Sequence, residues 1–228
     1  MTVVVGVLLI VLPLAFNVAF ALLASRFDYP DILRRPTEEV LARFRAGGSG
    51  LVLLWWGFAM TAVLLAPVAV LVSAVLVGAD PLILGIGAIV GILASSVQFL
   101  GLIRWPFLVP YLARTIGEPS ASAARKEAVD IVFQSFNRYL GVAVGEHLGF
   151  LFTGAWSILV GVAITQSTVM HPAVGVAGIL VGAVLVLCSL EFVGPFEPSG
   201  WKLAGTVTPF AYIAWSVWLV ATGIALLL

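Results

Sequence analysis

Residues 26–45 read RFDYPDILRRPTEEVLARFR and carry Arg26, Arg34, Arg35, Arg43 and Arg45, five of the eleven basic residues in the chain. Five more, Arg104, Arg114, Arg125, Lys126 and Arg138, fall between residues 104 and 138, and only Lys202 lies elsewhere. Outside these two islands the chain is almost unbroken apolar sequence. It is 62% hydrophobic and 10% charged, whereas a soluble domain is roughly half apolar and a quarter charged. A water-soluble fold could not hide that much apolar surface, so the pattern predicts a multi-pass membrane protein oriented by its arginines.

Crossing about 30 Å of hydrocarbon takes about 20 helical residues. Runs of that length can be placed at about 3–24, 50–78, 82–103, 140–165, 173–194 and 205–228. No run shows the strict alternation of a barrel strand, and lipid leaves the helix as the other way to satisfy the backbone internally. The expected fold class is therefore all-α, an integral membrane six-helix bundle forming a single transmembrane domain over residues 1–228.

Both basic islands, and Lys202, fall in odd-numbered connections. The even-numbered ones, Gly78 to Pro81 and Gln166 to Pro172, hold no basic residue. Basic loops stay in the cytoplasm, which predicts both termini outside. Ala19-Phe20-Ala21 imitates a signal-peptide cleavage site. Against that reading, the start lacks a basic segment, and cleavage would strand the five-arginine loop on the wrong side.

Within the first island, Arg35-Pro36-Thr37-Glu38-Glu39 reads as a helix start with acids in its first turn. Val40, Leu41 and Phe44 share a face and Gly47-Gly48 ends the run, which predicts a short amphipathic helix on the inner membrane surface. Such a helix anchors to anionic lipid or docks a partner. In the second island, Glu118 to Ser122 forms a helix cap ahead of Ala123 to Tyr139, which could run straight into the fourth span. No connection is long enough for a separate soluble domain.

Six polar or ionisable residues inside or at the ends of the spans carry the functional expectation: Asn17, Gln98, Arg104, Glu146, His147 and Glu191. Intramembrane polarity is costly and marks function by default. Helix direction puts all six in the cytoplasmic third, which predicts a polar pocket opening to the cytoplasm, extended by Thr206, Thr208 and Tyr212. Glu146-His147 lies deepest. Arg104 and Glu191 are near enough to span ends to snorkel. Glu146 could be neutralised by Arg104, leaving His147 as proton carrier or hydrogen-bond donor; the same group could equally be an ion pair that fixes helix packing.

Other chemistries find no support. Adjacent helical residues lack the spacing of paired metal ligands. His147 and His171 sit on opposite sides of the bilayer and cannot clasp one haem. No phosphate loop, dinucleotide fingerprint or hydrolase motif occurs, and zero net charge lacks the basic face that nucleic acid needs. No metal, cofactor or catalytic residue is expected. Lone Cys188 in an apolar run reads as a small buried hydrophobe.

Gly141, Gly145 and Gly149, and again Gly178 and Gly182, stand at four-residue intervals and predict close helix packing or a dimer seam. Trp55, Trp56, Trp105, Trp201 and Trp218 lie near span ends, where an aromatic belt is expected. Pro106 and Pro110 should bend or end the third span.

The segments FDYPDIL at 27–33, GLIRWPF at 101–107 and NRYLGVAVGEHLG at 137–149 resemble an actinobacterial-type family of multi-pass membrane proteins known only as a domain of unknown function. The resemblance spans most of the chain. It implies a six-helix protein of the bacterial inner membrane and brings no activity or site residue with it. The function expected is non-enzymatic: a regulator that binds a small molecule or lipid, or a subunit of a larger assembly. A homodimer or another membrane protein would be its partner, in addition to the lipid bilayer. A small proton-coupled transporter and an intramembrane enzyme acting on a lipid-like substrate are the alternatives.

Overall fold

A computed structural model describes residues 1–228. The chain is all-helical, with helices α1 (Thr2–Phe27), α2 (Thr37–Ala46), α3 (Gly48–Val75), α4 (Pro81–Ile116), α5 (Ala123–Phe136), α6 (Gly149–Gln166), α7 (Pro172–Cys188) and α8 (Lys202–Leu227). A π-helical stretch, Asn137–Leu148, joins α5 to α6, and short 3-10 turns occupy Asp31–Arg34, Ser189–Phe192 and Gly194–Phe196. Six segments are long and apolar enough to cross a membrane: α1, α3, α4, the continuous run from α5 through α6, α7 with its following turn, and α8.

The amphipathic helix of the first island is α2, whose Val40, Leu41 and Phe44 are buried. Ser122 caps α5 by accepting from the amide of Arg125. The third span does not end at its prolines. Its helix passes through Pro106 and Pro110 and runs on to Ile116, well beyond residue 103. A proline removes one backbone donor and crowds the preceding turn, a cost of about 3 kcal/mol in isolation; packing of Trp105, Val109, Leu112 and Ala113 into the core holds the helix across it.

The connections sort to the two ends as the charge pattern requires. At one end Lys126 pairs with Glu38 at 3.0 Å, the Gln134 amide donates to Thr37 at 2.9 Å, and Arg138 pairs with Glu197 at 2.6 Å. The first, third and fifth connections thus meet in one basic layer. At the other end the Asp80 amide donates to Gln166 at 3.0 Å, and Ser167 donates to the Val77 carbonyl at 2.8 Å. The ion pairs are exposed and each contributes little. Their value lies in showing that all basic loops share a side.

Apolar packing divides between these ends. One cluster, around Leu9, Val68, Trp156, Leu185 and Leu219, fills the end away from the basic loops. The second, around Phe27, Leu41, Phe44, Trp55 and Trp105, fills the basic end. Between them along each helix stands a polar residue: Asn17 on α1, Thr61 on α3, Ser95 and Gln98 on α4.

The expected aromatic belt is largely absent. Trp55 and Trp105 are fully buried and Trp218 is buried beneath α7, where its indole N–H donates to the Val174 carbonyl at 2.9 Å. Only Trp56 faces outward, while Trp201 stacks on Phe196. The glycines pack within the chain and leave no free dimer seam among them. A Cβ at Gly101 would lie 2.6 Å from the Gly145 Cα, and one at Gly178 would lie 2.5 Å from the Trp218 ring. Cys188 is buried and free.

Candidate functional site

The polar residues of the basic half fall into linked groups. Arg104 lies in the interior of α4 and is buried. It does not snorkel. Its guanidinium donates to the Gly101 carbonyl and, at 3.0 Å, to Asn137 Oδ1 at the head of the π-stretch. Gly141 makes room for it, since a Cβ there would sit 2.6 Å from Arg104 Nη2. A buried cation needs such partners because desolvation is otherwise unrecovered. Replacing Asn137 with Leu should lower stability by about 1.5–3 kcal/mol, the range for a hydrogen bond to a charged group. Thermal unfolding in detergent checks this, and an unchanged midpoint would show that Arg104 finds another partner.

Glu146 makes no ion pair with Arg104 within 4 Å; the seven pairs of the protein all lie in the connecting loops and their flanks. The expected neutralisation by direct contact is therefore absent, although Arg104 and Glu191 both lie within electrostatic reach of the Glu146 carboxylate. Its carboxylate also has no hydrogen-bond partner in the protein, and it is not among the sealed polar atoms, which are the indole nitrogens of Trp55, Trp105 and Trp156. Glu146 is itself partly buried.

His147 turns the other way. Its Nδ1 lies 2.7 Å from the Ser189 carbonyl, and a carbonyl only accepts, so Nδ1 carries the proton. The contact ties the π-stretch to the turn that presents Glu191. Glu191 in turn lies against α8, where a Cβ at Gly205 would come within 2.7 Å of its Oε1. Gln98 donates to Thr153 at 2.7 Å and packs beside Gly149. Asn17 stands apart: exposed on the α1/α8 seam, it donates to Ser216 at 2.9 Å and to the Pro13 carbonyl at 2.7 Å. Thr206 is exposed and donates back to Lys202, and Thr208 donates to Ala204, each at 2.9 Å. Of the three added α8 residues, only Tyr212 reaches the centre, within electrostatic range of Glu146.

Sequence reading overlooked Tyr29 and Asn137. Tyr29 belongs to the first connection, yet burial, and next the Glu146 charge, push its phenol up to about 12, with Arg104 opposing. It is thus a neutral hydroxyl at the basic-side edge of the group. Asn137 is one turn before Gly141 on the face of Gly145 and Gly149, and that shared face was its signal.

The π-stretch is the local device that builds the centre. Its i→i+5 bonding widens each turn, so successive side chains diverge by less than the about 100° of an α-helix. Runs of this kind are rare and recur at functional sites. Here twelve residues, Asn137–Leu148, carry Asn137, Glu146 and His147.

A family match covers residues 4–223 and is described as "Domain of unknown function (DUF4386)". The chain belongs to that family. The DUF4386 match reaches into all six spans and takes in every residue of the polar group, from Asn17 to Tyr212. No curated protein and no solved structure matches the chain.

Proposed function

We propose that this DUF4386 protein is a non-enzymatic ligand-binding membrane protein, a regulator or complex subunit, that takes a small molecule or lipid headgroup into the polar centre from the cytoplasmic side of a bacterial inner membrane. The observation that carries the reading is the partly buried Glu146 carboxylate on the π-stretch, without a hydrogen-bond or ion-pair partner in the protein. An unpaired carboxylate at this depth is costly, and a ligand that completes its hydrogen bonding recovers the cost. Arg104, Asn137 and Tyr29 form its basic-side edge, and His147 and Gln98 fix the surrounding helices.

Native mass spectrometry on protein released gently from its own membrane tests this. The expected result is a stoichiometric ligand that is lost from Glu146→Gln while the variant still folds. A ligand-free wild type, with Glu146→Gln altered only in stability, would reduce the centre to a packing device. The same unpartnered carboxylate also supports proton-coupled transport as a second reading. That reading requires proton uptake by reconstituted wild-type vesicles and none by Glu146→Gln.

A further inference from the structure

Asn17 lies on the outer face of the bundle, although its depth is that of the hydrocarbon. Along the helix axis it stands about 4 Å from the midpoint of α1, and its partner Ser216 about 2 Å from the midpoint of α8. Both hydrogens of its amide are used, on Pro13 and Ser216, but its carbonyl oxygen accepts from no group of the chain. Ser216 is the converse. Thr206, Thr208 and Thr222 of the same helix each donate to the backbone carbonyl four residues earlier, whereas the Ser216 hydroxyl accepts from Asn17 and donates nowhere in the chain. One acceptor and one donor are thus left open side by side, at a depth where lipid tails can bond neither.

The surface around the pair has the pattern of a helix seam. Val7, Ile10, Leu14, Asn17, Ala21 and Ala24 recur at alternating three- and four-residue steps, the repeat that lines one helix against another in a coiled coil, and all six are exposed or half-buried. A lone asparagine in such a seam fixes the register, because one alignment alone pairs its amide. α1 is also the least covered of the spans, with 28% of its most apolar stretch buried against 33% or more in the others. Its one charged side chain, Arg26, lies about 180° from Asn17 around the helix, so no like charges meet in the seam.

A surface that offers both a donor and an acceptor is complementary to itself, which commits its occupant to a second copy of the chain. Two copies in one membrane share an orientation. Their α1 helices therefore run parallel about a two-fold axis along the bilayer normal, and the two Asn17 side chains fall at the same depth.

We propose that the protein is a parallel homodimer joined along this face of α1, in which Asn17 and Ser216 of each copy complete the hydrogen bonding of the other. The dimer stands independently of what the Glu146 centre binds.

Oxidative disulfide cross-linking in native membranes tests the seam. In a Cys188→Ala background, Leu14→Cys places a thiol beside Asn17, and Leu180→Cys, at a position 63% exposed in the middle of α7, reports random encounters. Leu14→Cys is expected to give a dimer band at low expression and Leu180→Cys none. Subunit counting in vesicles of phosphatidylethanolamine and phosphatidylglycerol, over a range of protein-to-lipid ratios, then measures the association. Asn17→Leu should weaken the dimer at least roughly fivefold, the scale of an interhelical hydrogen bond in lipid, and Asn17→Gln, which keeps donor and acceptor, should retain most of it. A wild type that stays monomeric at every ratio, equal cross-linking of both cysteines, or an Asn17→Leu protein that dimerises as the wild type does would each overturn the proposal. Capture of Leu14→Cys by a different chain would overturn it too, assigning the seam to another partner. The cross-linking comparison leaves Asn17 in place, so it decides the matter even if Asn17→Leu fails to fold.

Discussion

Trp105→Ala is expected to destabilise the protein by about 3–5 kcal/mol, the range for deleting a buried large aromatic side chain. Trp105 is fully buried and stacks on Trp55 with centroids 4.3 Å apart and planes 8° from parallel. Phe27 meets it at 5.5 Å, Phe44 at 5.9 Å and Phe133 at 6.3 Å. These rings come from α1, α2, α3, α4 and α5, so one side chain joins five helices at the basic end. Neither indole N–H in the stack has a partner, which means that area and ring geometry hold the pair together. Trp56, the exposed sequence neighbour of Trp55, is the control: Trp56→Ala should move stability by no more than about 0.5 kcal/mol. Thermal unfolding of both variants in one detergent decides the matter, and equal effects would contradict the buried stack.

Gly154→Val should be nearly as damaging, for the opposite reason. α6 and α7 pack antiparallel with backbones almost touching. A Cβ on Gly154 would lie 2.5 Å from the Gly182 carbonyl oxygen and 2.9 Å from the Val186 nitrogen, and one on Gly182 would lie 2.5 Å from the Gly154 oxygen. Gly161 faces Gly175 in the same way, its added Cβ 2.5 Å from the Gly175 oxygen. The atoms in the way are backbone, so no rotamer relieves the clash. Overpacking costs about 1–3 kcal/mol where side chains can yield, and this seam should reach or exceed the upper figure. Gly57, which has nothing within 4 Å of an added Cβ, should accept Ala with no loss, because Ala is the better helix former. A Gly154→Val protein as stable as wild type would mean that α6 and α7 do not meet on this face.

The contrast between these two predictions shows what the sequence made legible. Span number, the gathering of the basic connections at one end and the α2 amphipath follow from composition and from where arginines fall, both of which are local quantities. The fate of Trp105 is not local. A tryptophan near the end of an apolar run is compatible with a belt or a core, and only the partners Trp55, Phe27 and Phe44 choose between them. Arg104 was misplaced for a related reason: two prolines shortly after it suggested a helix end, whereas packing carries α4 on to Ile116 and leaves the guanidinium in the interior. The glycine pairs Gly154 with Gly182 and Gly161 with Gly175 repeat at seven residues, two helical turns, so that a search for four-residue intervals finds Gly182 alone of the four.

The polar group was legible in outline. Glu146, His147, Arg104, Gln98 and Glu191 do gather in the basic half, because a polar side chain in an apolar span is conspicuous. Asn17 bonds to α8 instead. Tyr29 and Asn137 were missed because both lie in connections by hydropathy, and folding brings them against the spans; only Asn137, on the face of Gly141 and Gly145, had a signal in the sequence. The π-stretch has no sequence signature that separates it from an α-helix.

Cysteine accessibility tests the central claim that the Glu146 centre opens toward the basic end and that this end faces the cytoplasm. Cys188 is the only cysteine, so a Cys188→Ala background is silent. Single cysteines then replace Ser120 at the basic end, Thr168 at the opposite end and Glu146 in the centre, and a membrane-impermeant maleimide is applied to intact cells and to inside-out vesicles. The account predicts labelling of Thr168→Cys in cells only, and of Ser120→Cys and Glu146→Cys in inside-out vesicles only. Labelling of Glu146→Cys from the outer face, or from neither face, would contradict it.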